Sequence, residues 1–215
     1  MSFWDFLRDI FRKRRQEPAP SPAPSPSPAP TSGPPSGPSS PPASSPGSAP
    51  QNWEGRPREF LEQIIRPTLQ ELGVHSTAAE RLLLGTAVAE SLLKYRRQIQ
   101  GPALGLFQME PDSHDDIYEN FLNYPGRAVL KQKIVGMLSS PNADKHEELV
   151  NNDRYACAMA RMQYYRFPAS LPSADDLDGL ARYWKRYYNT AKGAGTVAGF
   201  KEKWQAIVGP WPPNF

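Results

Sequence analysis

The chain has 215 residues, 25 prolines and a formal charge of +3. So many prolines exclude one uniform globule, and a single cysteine excludes an internal disulfide or a thiolate zinc site. No apolar run is long enough for a bilayer-spanning helix.

The first predicted element is a short amphipathic helix over 1–17. Phe3, Trp4, Phe6, Leu7, Ile10 and Phe11 share one face, and Arg12, Lys13, Arg14 and Arg15 follow. An aromatic face ahead of a basic cluster suits a helix lying in a membrane interface. Six apolar residues suit a groove on a partner protein equally well. Asp5, Arg8 and Asp9 interrupt the apolar residues, the main basic cluster follows them, and no cleavage site is visible, so this is not read as a secretory signal.

Residues 18–50 are almost entirely Pro, Ser, Ala and Gly, with 14 of the prolines. Such a stretch has no apolar surface to offset ordering entropy, so a disordered, extended linker is expected. No basic residue flanks its Pro-x-x-Pro repeats, which favours a spacer over an SH3-type ligand. The head holds five cations and three anions, which leaves 51–215 at +1. A nearly neutral domain gives no support to nucleic-acid binding through phosphates.

Residues 51–215 suffice for a single core. Apolar periodicity predicts helices at about 57–72, 77–98, 113–123, 126–138, 149–166, 174–189 and 196–207, with no convincing alternating strand. Thr77-x-x-Glu80 and Ser173-x-x-Asp176 read as N-terminal capping boxes. The expectation is an all-α domain. Cys157 sits in a small-residue helical run and reads as a buried inert thiol. His75, His114 and His146 lie far apart without ligand spacing, so no metal site and no cofactor are expected.

Chemistry concentrates between Thr86 and Pro111. Glu90 shares its helical stripe with Thr86, Ala87, Leu93 and Lys94, mainly uncharged groups. A partly desolvated carboxyl holds its proton and can protonate a leaving oxygen, as in glycoside cleavage. The bland alternative is a solvated surface Glu paired with Lys94 at i+4.

Glu90-Ser91, followed fifteen positions later by Gly105-Leu106-Phe107-Gln108-Met109 and then Pro111, resembles the soluble lytic transglycosylases and the related goose-type lysozymes. Their helix ends in Glu-Ser, and a Gly-Leu-Met-Gln-Ile segment follows at that spacing. A third element of that family, a late Tyr-Asn pair followed by glycines, is similar to Tyr188-Asn189 with Gly193 and Gly195. Tyr183 competes for the same role, and Tyr183, Trp184, Tyr187 and Tyr188 also fit an ordinary core stripe.

The resemblance implies a lysozyme-like catalytic domain over 51–215 that cleaves the MurNAc–GlcNAc bond of peptidoglycan. Glu90 would be the catalytic acid. Ser91, Gly105, Leu106, Phe107, Gln108, Met109 and either Tyr183 or Tyr188 with Asn189 would line the glycan site. Glu90 would protonate the glycosidic oxygen, then accept the proton of the muramoyl 6-hydroxyl as it closes onto C1, giving a 1,6-anhydro sugar. Glu110, Asp112, Asp115 and Asp116 are the candidates for a water-activating base in a hydrolase, although acids there also suit a helix start. Lys94, Arg96 and Arg97 are candidates to meet anionic peptide stems.

Anchor, spacer and wall-cutting head together suit a bacteriophage virion, associated with membrane or with a virion or envelope protein through the head and acting in the periplasm or cell wall. The alternatives are a bacterial inner-membrane or secretion-system-associated enzyme, a non-catalytic glycan-binding virion or envelope protein, and an adaptor whose domain binds protein.

Overall fold

The computed structural model describes residues 51–189 and 193–213. The helix expected over 1–17 and the linker expected over 18–50 lie outside the described residues. Within them the protein is all-α, and the only strand-like pairing consists of isolated antiparallel bridges, Arg97 to Leu104 and Leu104 to Met109.

The first helical run starts with α1 (Pro57–Phe60), widens into a π-helical turn at Leu61–Ile65 and continues as α2 (Arg66–Leu72). Pro57 sits in the first turn, where its missing N–H costs nothing. The π turn ends two residues before Pro67, whose ring and absent N–H disrupt a regular α turn. Gly73, with φ of 74°, closes the run in the left-handed conformation.

α3 (Thr77–Ser91) is capped by Ser76, whose Oγ accepts from Ala79 N at 3.1 Å, rather than by Thr77 as the capping box predicted. Glu80, freed from that box, binds Arg66 and His75 instead. The helix also stops seven residues short of the expected end. Leu92 and Leu93 adopt φ of 56° and 57°, a conformation that costs a branched residue roughly 1–2 kcal/mol. Full burial of Leu93 in the core offsets it.

α4 (Pro111–Ile117) runs into a second π turn at Tyr118–Leu122, and α5 (Ala128–Val135) follows. The single helix expected over 149–166 is two: α6 (Lys145–Asn151) and α7 (Asp153–Tyr165). Asn152 divides them, because its side chain accepts from Tyr155 N and caps α7. Asp144 caps α6 in the same way. α8 (Leu177–Trp184) is capped by Asp176 rather than Ser173, and it passes into a third π turn at Lys185–Asn189. α9 (Val197–Ile207) is capped by Thr196.

Two helices form the centre. α7 buries Tyr155 through Ala160, Met162 and Tyr164, and α3 buries residues around its whole circumference, the signature of a helix surrounded by others. α9, α8 and α7 all pack on α3. Gly85 makes room for the approach of α9, since a Cβ there would run into the Phe200 ring. No described helix is long and apolar enough to cross a membrane.

Candidate active site

Glu90 is the penultimate residue of α3, so its carboxyl lies at the negative end of the helix dipole, where a second negative charge is unfavourable. It is only partly exposed. Burial raises its pKa above the ordinary carboxyl value, and this outweighs the groups that favour the ionised form: Trp184, Lys203, Asn189 and Lys185. The alternative pairing of Glu90 with Lys94 does not form. Because the chain turns left-handed at Leu92, Lys94 is carried off to Glu54, 2.8 Å away.

Around the carboxyl, Trp184 Nε1 donates to Glu90 Oε1 at 2.9 Å. The Asn189 side chain is close enough to the carboxyl to favour its ionised form. Its Oδ1 is occupied by Lys185 Nζ at 2.9 Å, which leaves the amide N–H to face Glu90. Gly195 gives this pair room, since a Cβ there would meet both the Trp184 ring and Asn189 Nδ2. Lys203 Nζ donates to the carbonyl of Ala89, placing a cation at the end of α3 beside the acid. Lys203 is held there because Phe200, one turn earlier, seats on Gly85.

The two late tyrosines separate. Tyr188 Oη donates to Phe107 O at 2.8 Å, and its phenol pKa rises through burial and then through the Glu90 charge. Tyr183 Oη donates to Ala169 O at 2.9 Å, and Glu90 does not figure among the charges acting on it. Of the two late tyrosines, Tyr188 is the one whose phenol is raised by the Glu90 charge. The π turn that carries Tyr188 and Asn189 inserts extra backbone after Trp184, a distortion often found at functional sites.

The Gly105 to Met109 segment is a tight turn closed by reciprocal bonds between Leu104 and Met109, each 2.9 Å. Leu106, Phe107 and Met109 bury their side chains in the core, and Phe107 packs on Phe60 with ring centroids 6.1 Å apart. Gln108, at φ of 45°, donates to Gly105 O at 2.7 Å and Tyr95 O at 3.2 Å, so its amide braces the turn. Gly105 has φ of 72°, and a Cβ there would strike the carbonyl oxygen of Leu149, which makes its role close backbone packing on α6. Ser91 is buried and donates to Ala87 O at 3.0 Å, completing the last turn of α3 rather than addressing Glu90.

The remaining candidates are engaged elsewhere. Asp116 pairs with the buried Arg166, and Asp115 faces His114 and His146. Glu110 and Asp112 are exposed at the start of α4. Lys94, Arg96 and Arg97 each hold an internal acid: Glu54, Asp153 and Glu147. Arg96 and Trp53 Nε1 share Asp153, which fixes the loop after α3 against α7. Burial pushes the Cys157 thiol pKa well up, consistent with an inert group.

Sequence reasoning missed Trp184 and Lys203 as partners of Glu90. The indole N–H of a large buried Trp needs an acceptor, which is a signal that some partner exists, but 94 positions separate the two residues. Lys203 carries no local signal at all. Compared with known protein families, with curated proteins and with solved structures, the chain matches none.

Proposed function

We propose that the domain is a lysozyme-like lytic transglycosylase that cleaves the MurNAc–GlcNAc linkage of peptidoglycan with Glu90 as its one acid. The observation that carries this reading is the carboxyl of Glu90, raised in pKa by burial while the Trp184 indole N–H fixes its orientation. A general acid for glycoside cleavage needs a proton retained toward neutral pH and a fixed direction in which to deliver it.

In the proposed reaction Glu90 donates its proton to the glycosidic oxygen as the C1–O bond breaks. The resulting carboxylate then takes the proton of the muramoyl 6-hydroxyl while that oxygen bonds to C1. Atoms balance without water, and the acid returns to its starting form. Trp184 stabilises the carboxylate between the two steps by donating to it, Asn189 does so through its nearby amide, and Lys203 and Lys185 do so by charge. The groups acting most strongly on Glu90 are an indole, an amide and two ammoniums, an environment suited to a mechanism with one carboxyl. Tyr188 ties the late π turn to the Gly105 to Met109 turn through Phe107 O.

A wall-cutting domain behind a Pro-rich spacer fits delivery by a bacteriophage particle, with the head of the chain attached to membrane or to a virion or envelope protein. Mass spectrometry of purified peptidoglycan digested by the full chain tests the chemistry. Anhydro products, lighter by one water than hydrolysed muropeptides and lost with Glu90→Gln, are expected. Water-added products would make the protein a muramidase, and no products would leave a glycan-binding role.

A further inference from the structure

Histidines far apart in the sequence meet in the fold. His114 and Asp115 belong to α4 and His146 to α6, yet one ligand atom from each lies within 4.8 Å of the others. Asp115 Oδ1 is 2.8 Å from His114 Nδ1 and 2.9 Å from His146 Nε2. The two imidazoles stand edge to face, with centroids 5.0 Å apart. Around one metal ion with bonds of about 2.0–2.2 Å, donor atoms sit roughly 3–3.5 Å apart. Asp115 would draw back from each imidazole by a few tenths of an ångström, while the two imidazole nitrogens, up to 4.8 Å apart, would close by roughly 1–1.5 Å to reach that spacing.

The surroundings of His114 fit a ligand as well as its position does. The ring is buried, and its Nε2 lies 2.7 Å from Tyr155 Oη, which is 3.1 Å from Tyr118 Oη. Without metal, His114 Nδ1–H donates to Asp115 and the Tyr155 hydroxyl donates to Nε2. With metal on Nδ1, the imidazole carries its proton on Nε2 and donates to Tyr155, whose own hydroxyl turns to Tyr118. A phenol is both donor and acceptor, so the change of tautomer strands no buried group. This is the outer-shell partner that orients a metal-bound histidine.

A cavity of about 360 Å³ opens beside the cluster, lined in part by His114, Asp115, Tyr118 and Glu119. Lys131 and Lys145 lie on its wall, and Lys145 Nζ sits over the Tyr118 ring, 5.5 Å from its centroid. The ammoniums oppose a free cation, whereas Asp115 and Glu119 favour one. Asp115 and His146 are themselves solvent-accessible, which gives an ion a way in.

We propose that His114, Asp115 and His146 form a binding site for a divalent transition-metal ion of the zinc class, with two imidazoles and one carboxylate as ligands. Three protein ligands leave further coordination positions facing the cavity, open to water. The ion ties α4 to α6. α4 begins just after the Gly105 to Met109 turn, and α6 supplies the Leu149 carbonyl against which Gly105 packs. The metal would thus brace both supports of that turn, whatever reaction Glu90 performs.

The test uses the tag-free full chain, stripped with chelator, titrated with Zn²⁺ by calorimetry and with Co²⁺ by visible absorption. One Zn²⁺ per chain, a rise in melting temperature and a Co²⁺ spectrum of low coordination number are expected. His146→Ala and Asp115→Asn, both at accessible positions and checked for folding by circular dichroism, should each weaken binding on the order of 10- to 100-fold or more. Absence of saturable Zn²⁺ and Co²⁺ binding by the wild-type chain overturns the proposal. So does binding that survives unchanged in a folded variant, because the ion would then sit elsewhere.

Discussion

Replacing Glu90 by Gln should shift stability in favour of the variant progressively as pH rises. Burial raises the native pKa of Glu90 above the ordinary value of 4.5. The native chain therefore holds this proton more tightly than the unfolded chain does. Below pH 4.5 both states are protonated and the acid contributes its full stability. As pH climbs from there to the raised native pKa, the unfolded chain has released the proton and the native chain has not, so wild-type stability falls. The loss is about 1.4 kcal/mol for every tenfold by which the native carboxyl is the weaker acid. Above the native pKa the loss is complete and constant. Glutamine has nearly the same volume and no proton to lose. Any cost of its amide N–H meeting the Asn189 amide is independent of pH and cancels from the slope. Urea denaturation of wild type and Glu90→Gln, followed by far-ultraviolet circular dichroism from pH 4 to 8, measures the difference directly. For a chain of this size each 1 kcal/mol also moves the melting temperature by roughly 2–4 °C. A stability difference that stays flat across this range, or one that turns toward wild type as pH rises, would refute the claim that Glu90 is held in a proton-retaining environment.

Three other substitutions probe the supports of the site. Lys203→Met removes a charge that favours ionised Glu90, so the pKa should rise further and the alkaline limb of the cleavage profile should shift to higher pH; an unmoved limb would detach Lys203 from the acid. Gly105→Ala combines a left-handed strain of roughly 1–2 kcal/mol with a clash against the Leu149 carbonyl of about 1–3 kcal/mol, and thermal unfolding should show a loss of that combined order. Tyr188→Phe frees the Phe107 carbonyl and should cost about 1 kcal/mol while sharply lowering cleavage. Tyr183→Phe should cost similar stability and spare cleavage, and equal loss of activity in both would contradict the assignment of Tyr188 to the site.

Much of this protein was legible in one dimension. Helix content, the approximate starts of α1, α4 and α9, and Glu90 on a helix followed by a glycine turn come from periodicity and local chemistry, which act within a few residues. Gly105 reads from sequence as a wall of the glycan site, whereas in the fold its side of the turn meets the backbone of α6. The caps of α3 and α8 fell at Ser76 and Asp176 rather than Thr77 and Ser173, because several oxygen-bearing residues stand together there and the one that caps is decided by where the preceding loop enters.

Other features depended on packing. α3 ends at Ser91 only because the core receives Leu93 through a left-handed turn, and no propensity favours that conformation for leucine. That early stop removes Lys94 from Glu90 and opens the place taken by Trp184, Asn189 and Lys203. Likewise the spacing of His114 and His146 carries no metal-ligand pattern, and it took the break at Asn152 and the separate helix α6 to bring them together across Asp115. Periodicity fixes which face a side chain occupies on its own helix. Which groups stand opposite that face, and hence whether a carboxyl keeps its proton or two imidazoles can share an ion, follows from contacts between residues tens of positions apart, and only the assembled fold supplies those.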